Sequence, residues 1–188
     1  MNKHGWNITK LVTAGSLGAL MWILTLPGAL INIITPVWSG GLNPLIYGVF
    51  AILCLFITTN FGYTTLMFTV FGILAIPFPL LGVPGLFSKI IVAAVAGLIA
   101  DTIHLFLNKR KLPTAFIAPG FILYWFAVSF LILLKFIDLP GMDRVLNMGV
   151  VTPLIIFGSL GVGAVSGLIG YAIYSKIKNS AVVKRIQK

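Results

Sequence analysis

Charge is what this chain has least of. Glutamate is missing, Asp and Glu together number three, and charged residues make up 9% of the 188 positions against 59% apolar ones. A water-facing surface needs on the order of a quarter of its residues charged, so these proportions exclude a protein solvated all round. Cysteine is equally scarce. The single Cys54 lies inside an apolar run, which excludes a disulfide framework and a thiolate metal site. There is no CxxC or HExxH motif and no phosphate-cradling glycine loop ahead of a Lys, so nothing points to an ATPase or a metalloenzyme.

What is abundant is long apolar sequence punctuated by Gly, Pro and Asn. A membrane-crossing helix needs about 20 mainly apolar residues. The punctuation predicts spans at about 8–34, 45–59, 63–76, 87–107, 114–136 and 149–175, with Pro27-Gly28 kinking the first. The expectation is an all-α integral membrane protein, a single bundle of six transmembrane helices covering residues 1–188. Lys3 and Lys10 ahead of an apolar stretch resemble a signal peptide, but the stretch is too long for one and is read as a retained first helix.

Six spans put both ends of the chain on one side. That side then carries Lys3, Lys10, Lys109, Arg110, Lys111, Lys176, Lys178, Lys184, Arg185 and Lys188, leaving Lys89, Lys135 and Arg144 opposite. Ten against three predicts an N-in, C-in arrangement by the positive-inside rule. The same placement accounts for the net charge of +10 through anionic membrane lipid, not nucleic acid.

Small residues predict where helices approach closely. Ala14, Gly15, Gly18 and Ala19 form such a face on segment one, Ala93, Ala96, Gly97 and Ala100 on segment four, and Ser159, Gly163 and Gly167 on segment six. Internal packing explains the last two. The first face serves either packing or the docking of a membrane partner.

Catalytic candidates are few. Asp101 and His104, three residues apart on one helical face, are the one acid–His pair. They lie close to Lys109-Arg110-Lys111, so a structural pairing of Asp101 with a Lys or Arg competes with a small membrane enzyme centred on the pair. The opposite half holds a different set: Trp38, Asn43, Tyr47 and Phe78 in or beside the links, Tyr124, Trp125 and Ser129 on segment five, and Lys135, Asp143, Arg144, Asn147 and Thr152 around the last link. Interfacial anchoring explains any one of them. Together they offer the apolar walls and few polar groups of a small-molecule pocket, with Trp125 central because a mid-span indole N–H needs a partner.

The size, the six predicted spans, Thr13-Ala14-Gly15-Ser16-Leu17-Gly18-Ala19, Ala96-Gly97-Leu98-Ile99-Ala100-Asp101 and the glycine-rich ending from Gly163 to Lys176 resemble the substrate-binding S components of energy-coupling factor (ECF) vitamin transporters. The likeness covers nearly the whole chain. The family's partner-contact pattern, Ala-x-x-x-Ala on helix one, is met here by size in Ala14/Gly18 and Gly15/Ala19. The resemblance implies a protein of a prokaryotic plasma membrane that captures a vitamin or related micronutrient from outside. It implies partners too: a T-subunit and two ABC ATPases, with no catalysis and no cofactor in this chain. The family's metal-binding branch begins Met-His, whereas this chain begins Met1-Asn2-Lys3-His4, which counts against cobalt or nickel.

Overall fold

The computed structural model describes residues 7–34, 39–78, 80–81, 84–136 and 151–187; the side chains of 30–34, 39–41, 133–136 and 151–156 are not among those described. These residues form helices and turns, with no strand among them. The helices are α1 (Ile8–Ile34), α2 (Ser39–Thr58), α3 (Tyr63–Leu74), α4 (Ser88–Phe106), α5 (Lys111–Phe136), α6 (Val151–Ile177) and the short α7 (Ala181–Gln187). Four of them, α1, α4, α5 and α6, are long and apolar enough to cross a membrane. The apolar parts of α2 and α3, Leu42–Thr58 and Tyr63–Leu74, are shorter.

The predicted bounds hold closely for α1 and α4, and two departures have simple causes. Ser39 to Pro44, expected as a link, already belongs to α2. Pro44 is the sixth residue of that helix, so its missing N–H leaves just the Gly40 carbonyl without an intrahelical donor. At the other extreme, α7 lies in the basic stretch beyond the last predicted span, 149–175. Val183, 4% exposed, anchors it against the bundle.

Consecutive long helices run in opposite directions, and hydrogen bonds mark the two ends. At one end the Lys10 Nζ donates to Asn60 Oδ1 (2.8 Å), and Lys111 Nζ donates to Tyr174 Oη (2.7 Å). These gather the starts of α1 and α5, the α2–α3 turn and the end of α6; this is the basic end. At the far end the Asn43 amide lies against Gly28, and Trp22 packs edge-on to Phe78 with ring centroids 5.3 Å apart.

Helix α2 is the most enclosed element. It packs against α1, α5 and α6, touches α3 and α4, and buries Tyr47, Phe50, Ala51, Ile52, Cys54, Leu55, Phe56, Ile57 and Thr58. Small residues bring the other helices together, as expected for segments four and six. A Cβ on Gly97 would sit 2.5 Å from Thr65 Cα in α3, and one on Gly163 would run into Gly120 of α5. Without a water-driven force between helices in lipid, backbone approach of this kind is what holds a bundle.

Candidate functional site

Helix α4 carries the two most deeply buried charges among the described residues, Lys89 (1% exposed) and Asp101 (2% exposed), and presents both to α3. Asp101 does not pair with a Lys or Arg, as sequence reasoning expected of the structural alternative. Its Oδ2 accepts from the Gly62 N–H (3.1 Å), the Thr65 N–H (3.0 Å) and the Thr65 hydroxyl (2.8 Å). Those amides open α3, where the first turn of a helix leaves N–H groups without internal partners and concentrates positive partial charge. Gly62 makes the approach possible by adopting φ 95°, a left-handed conformation open to glycine at little cost. Lys89 does the converse. Its ammonium donates to the carbonyls of Ala75 (3.1 Å), Ile76 (3.5 Å) and Phe78 at the other terminus of α3.

The spacing is matched. Twelve residues separate Lys89 from Asp101, and α3 is 12 residues long. At about 1.5 Å per residue both lengths are about 18 Å. α4 therefore brackets α3 with a charge of the favourable sign at each end.

His104 turns elsewhere. Its Nδ1 lies 3.0 Å from Thr114 Oγ1, and the Thr114 hydroxyl already donates to the Arg110 carbonyl (2.6 Å). A hydroxyl has one proton, so Nδ1–H is the donor of the His104–Thr114 bond. The ring also packs on Phe56, with centroids 5.6 Å apart. Asp101 and His104 thus share a helical face without bonding to one another. Both border a cavity of about 10 Å³ with Thr59, Asn60, Phe61, Leu105 and Lys109, which has room for about one water.

At the far half the pocket candidates separate. Tyr47 and Phe126 meet edge-on with centroids 5.3 Å apart, and Tyr47 meets Phe71 in the same way at 5.2 Å, giving an aromatic floor. One turn outward on α2 stands Asn43, and nearly one turn outward on α5 stands Ser129. These positions are about 6 Å and about 4.5 Å along their helices from the Tyr47–Phe126 contact. Both side chains are more than nine-tenths buried, and neither Asn43 Oδ1 nor Ser129 Oγ has a hydrogen-bond partner. A buried polar group left unmatched costs about 1–3 kcal/mol, so each asks for a partner that the described residues do not supply.

The other candidates lie apart. The Trp125 Nε1–H donates to the Val92 carbonyl (2.9 Å), tying α5 to α4, and Tyr124 is 38% exposed on the outer surface of the bundle. Phe78 packs on Trp22, whose own Nε1 is buried and unpartnered. Trp38, Asp143, Arg144 and Asn147 lie outside the described residues, as do the side chains of Lys135 and Thr152. Phe71, Phe126 and Trp22 were missed by sequence reasoning. The three-residue step from Phe126 to Ser129 and the four-residue step from Asn43 to Tyr47 were the signal available for the first pair of helices.

On α1 the small-residue face divides. Ala14 is fully buried, and a Cβ on Gly18 would sit 2.5 Å from the Met67 carbonyl, so these two positions pack on α3. Gly15 has open space where its Cβ would be, and Ala19 is half-buried.

No family model matches this chain, and no curated protein or solved structure matches it either.

Proposed function

We propose that this protein crosses the membrane six times, with both ends inside, and works as the substrate-capture subunit of an ECF-type uptake transporter. It takes a vitamin-like small molecule from outside and hands it across together with a T-subunit and two ABC ATPases, which supply the hydrolysis. The observation that carries this reading is the pair of unpartnered, buried polar atoms, Asn43 Oδ1 and Ser129 Oγ, standing over the Tyr47–Phe71–Phe126 floor. A small molecule with an apolar ring and a hydrogen-bonding edge satisfies both features at once. The charge asymmetry supports the orientation, since this floor lies in the half away from the exposed cations. Gly15 and Ala19 are the positions on α1 left for a membrane partner, because Ala14 and Gly18 already hold α3.

The test begins with mass spectrometry of small molecules that co-purify with the solubilised chain. The compound found is then titrated while Trp fluorescence is followed. Ser129→Ala and Asn43→Ala are each expected to weaken its binding about tenfold, the loss of one hydrogen bond to a buried site. Unchanged affinity in both variants would remove the pocket, and the absence of any bound compound would favour a bundle without cargo.

A further inference from the structure

We infer that the basic end of the bundle is a built receptor for an anionic phospholipid headgroup, assembled around the Tyr174 hydroxyl. This rests on the membrane-spanning reading above and is independent of the cargo. Three parts of the chain meet at that oxygen. Lys111 Nζ, from the start of α5, donates to it at 2.7 Å, and Gln187 Nε2, from the last residue of α7, donates at 3.3 Å. Tyr174 itself sits three residues before the end of α6.

Two further contacts fix the junction. Gln187 Nε2 also donates to the Phe56 carbonyl (2.9 Å), one of the last four of α2 and so without an intrahelical partner. The Lys111 ammonium lies 4.5 Å from the centroid of the Tyr174 ring and 5.9 Å from that of Phe56, which holds it by cation–π attraction.

The junction gathers charge of one sign. Lys109 and Arg110 adjoin Lys111, Lys178 follows Tyr174 by one turn, and Lys184 and Arg185 lie three and two residues before Gln187; all six cations are exposed. Asn108 and Lys109 hold φ angles of 49° and 59°, so the chain reverses there and keeps the cations of the turn beside the bundle end. Among the described residues the one acid is Asp101, which is buried and turned toward α3. Nothing described in the protein neutralises the cluster.

A phosphate-bearing headgroup with net negative charge does so. Arg meets phosphate oxygens in a two-point geometry, and Lys acts as a point charge. A zwitterionic headgroup, with no net charge, would leave the cluster uncompensated.

The purified chain in detergent, given equal amounts of phosphatidylglycerol and phosphatidylcholine, is the sample, and native mass spectrometry counts the lipids retained. We expect phosphatidylglycerol to be retained at least about tenfold more. Each surface cation contributes about fivefold, so Lys184→Gln combined with Arg185→Gln should lower the preference by on the order of tenfold. Tyr174→Phe keeps every charge and ring yet removes the oxygen that ties the three segments; it should lower the preference severalfold. Gln187→Leu cuts the same tie from its other side and also keeps every charge, should the first variant fail to fold.

Equal retention of the two lipids by the unaltered chain would overturn the proposal. So would a preference untouched by Tyr174→Phe and Gln187→Leu in folded protein, which would mean a diffuse cloud of charge. Failure of the membrane reading looks different: the chain would leave cell membranes in an alkaline carbonate wash.

Discussion

The two buried charges of α4 and two buried neutral groups in the far half of this protein are served differently. Asp101 and Lys89 each engage three backbone or side-chain partners at the ends of α3. Asn43 Oδ1 and Ser129 Oγ, comparably buried, engage none. A buried charge demands partners, and three donors reach Asp101 Oδ2 although its Oδ1 has none; an unmatched hydroxyl or amide costs about 1–3 kcal/mol. The lesson runs against the usual expectation that buried charge marks the working site. Here the charges hold the scaffold, whereas Asn43 Oδ1 and Ser129 Oγ have no hydrogen-bond partner.

The most severe way to break this comparison is Asp101→Ala. Three buried donors lose their acceptor, and a loss of about 3 kcal/mol is expected. Cys54 supplies the readout, because it is the sole cysteine and fully buried, so a thiol-reactive dye reports unfolding as the sample is heated. Lys89→Met should follow at about 2 kcal/mol, since it removes three bonds to the carbonyls beyond α3, of which Ala75 and Ile76 keep backbone donors, and leaves a side chain of similar length in place. If either variant melted like the parent, the bracket around α3 would be decorative.

Smaller effects sharpen the other half. Trp125→Phe removes the bond to Val92 and should cost about 1 kcal/mol of stability while cargo affinity stays the same. Gly28→Ala forces the Asn43 amide away from α1 and should weaken capture more than it lowers the melting temperature. Ser129→Ala is expected to change stability least, or to raise it slightly, because it deletes an unmatched group; a marked drop in melting temperature would show that Ser129 has a structural partner after all.

Much of the architecture was legible in the order of apolar runs and breakers. Ile8 to Ile34 reads as one long apolar segment carrying Pro27 and is a single helix, and Asn60-Phe61-Gly62 reads as the turn that α2 and α3 share. The start of α2 was not legible, because Gly40, Gly41 and Pro44 look like a link until the tolerance of early helical turns for Pro is weighed. The partner of Asp101 was not legible either. Local charge pointed to Lys109-Arg110-Lys111, whereas the acceptor is used 36 and 39 residues away by Thr65 and Gly62. Of the candidate pocket, residue types and approximate depth could be read, but which helical faces meet could not. Trp125 and Ser129 lie four positions apart, yet one bonds toward α4 and the other stays unpartnered.

In the six-span arrangement proposed above, the bracketed helix has a consequence for the lipid beside it. At about 18 Å, α3 is far shorter than a hydrocarbon layer of about 30 Å, and its clamps at both termini stop it from lengthening. Acyl chains against that flank, where Ile73 is 49% exposed, must shorten or tilt to meet it. One side of the protein would therefore sit in a dimple of its own making, a place where headgroups and water come nearer to the midplane than anywhere else on its perimeter.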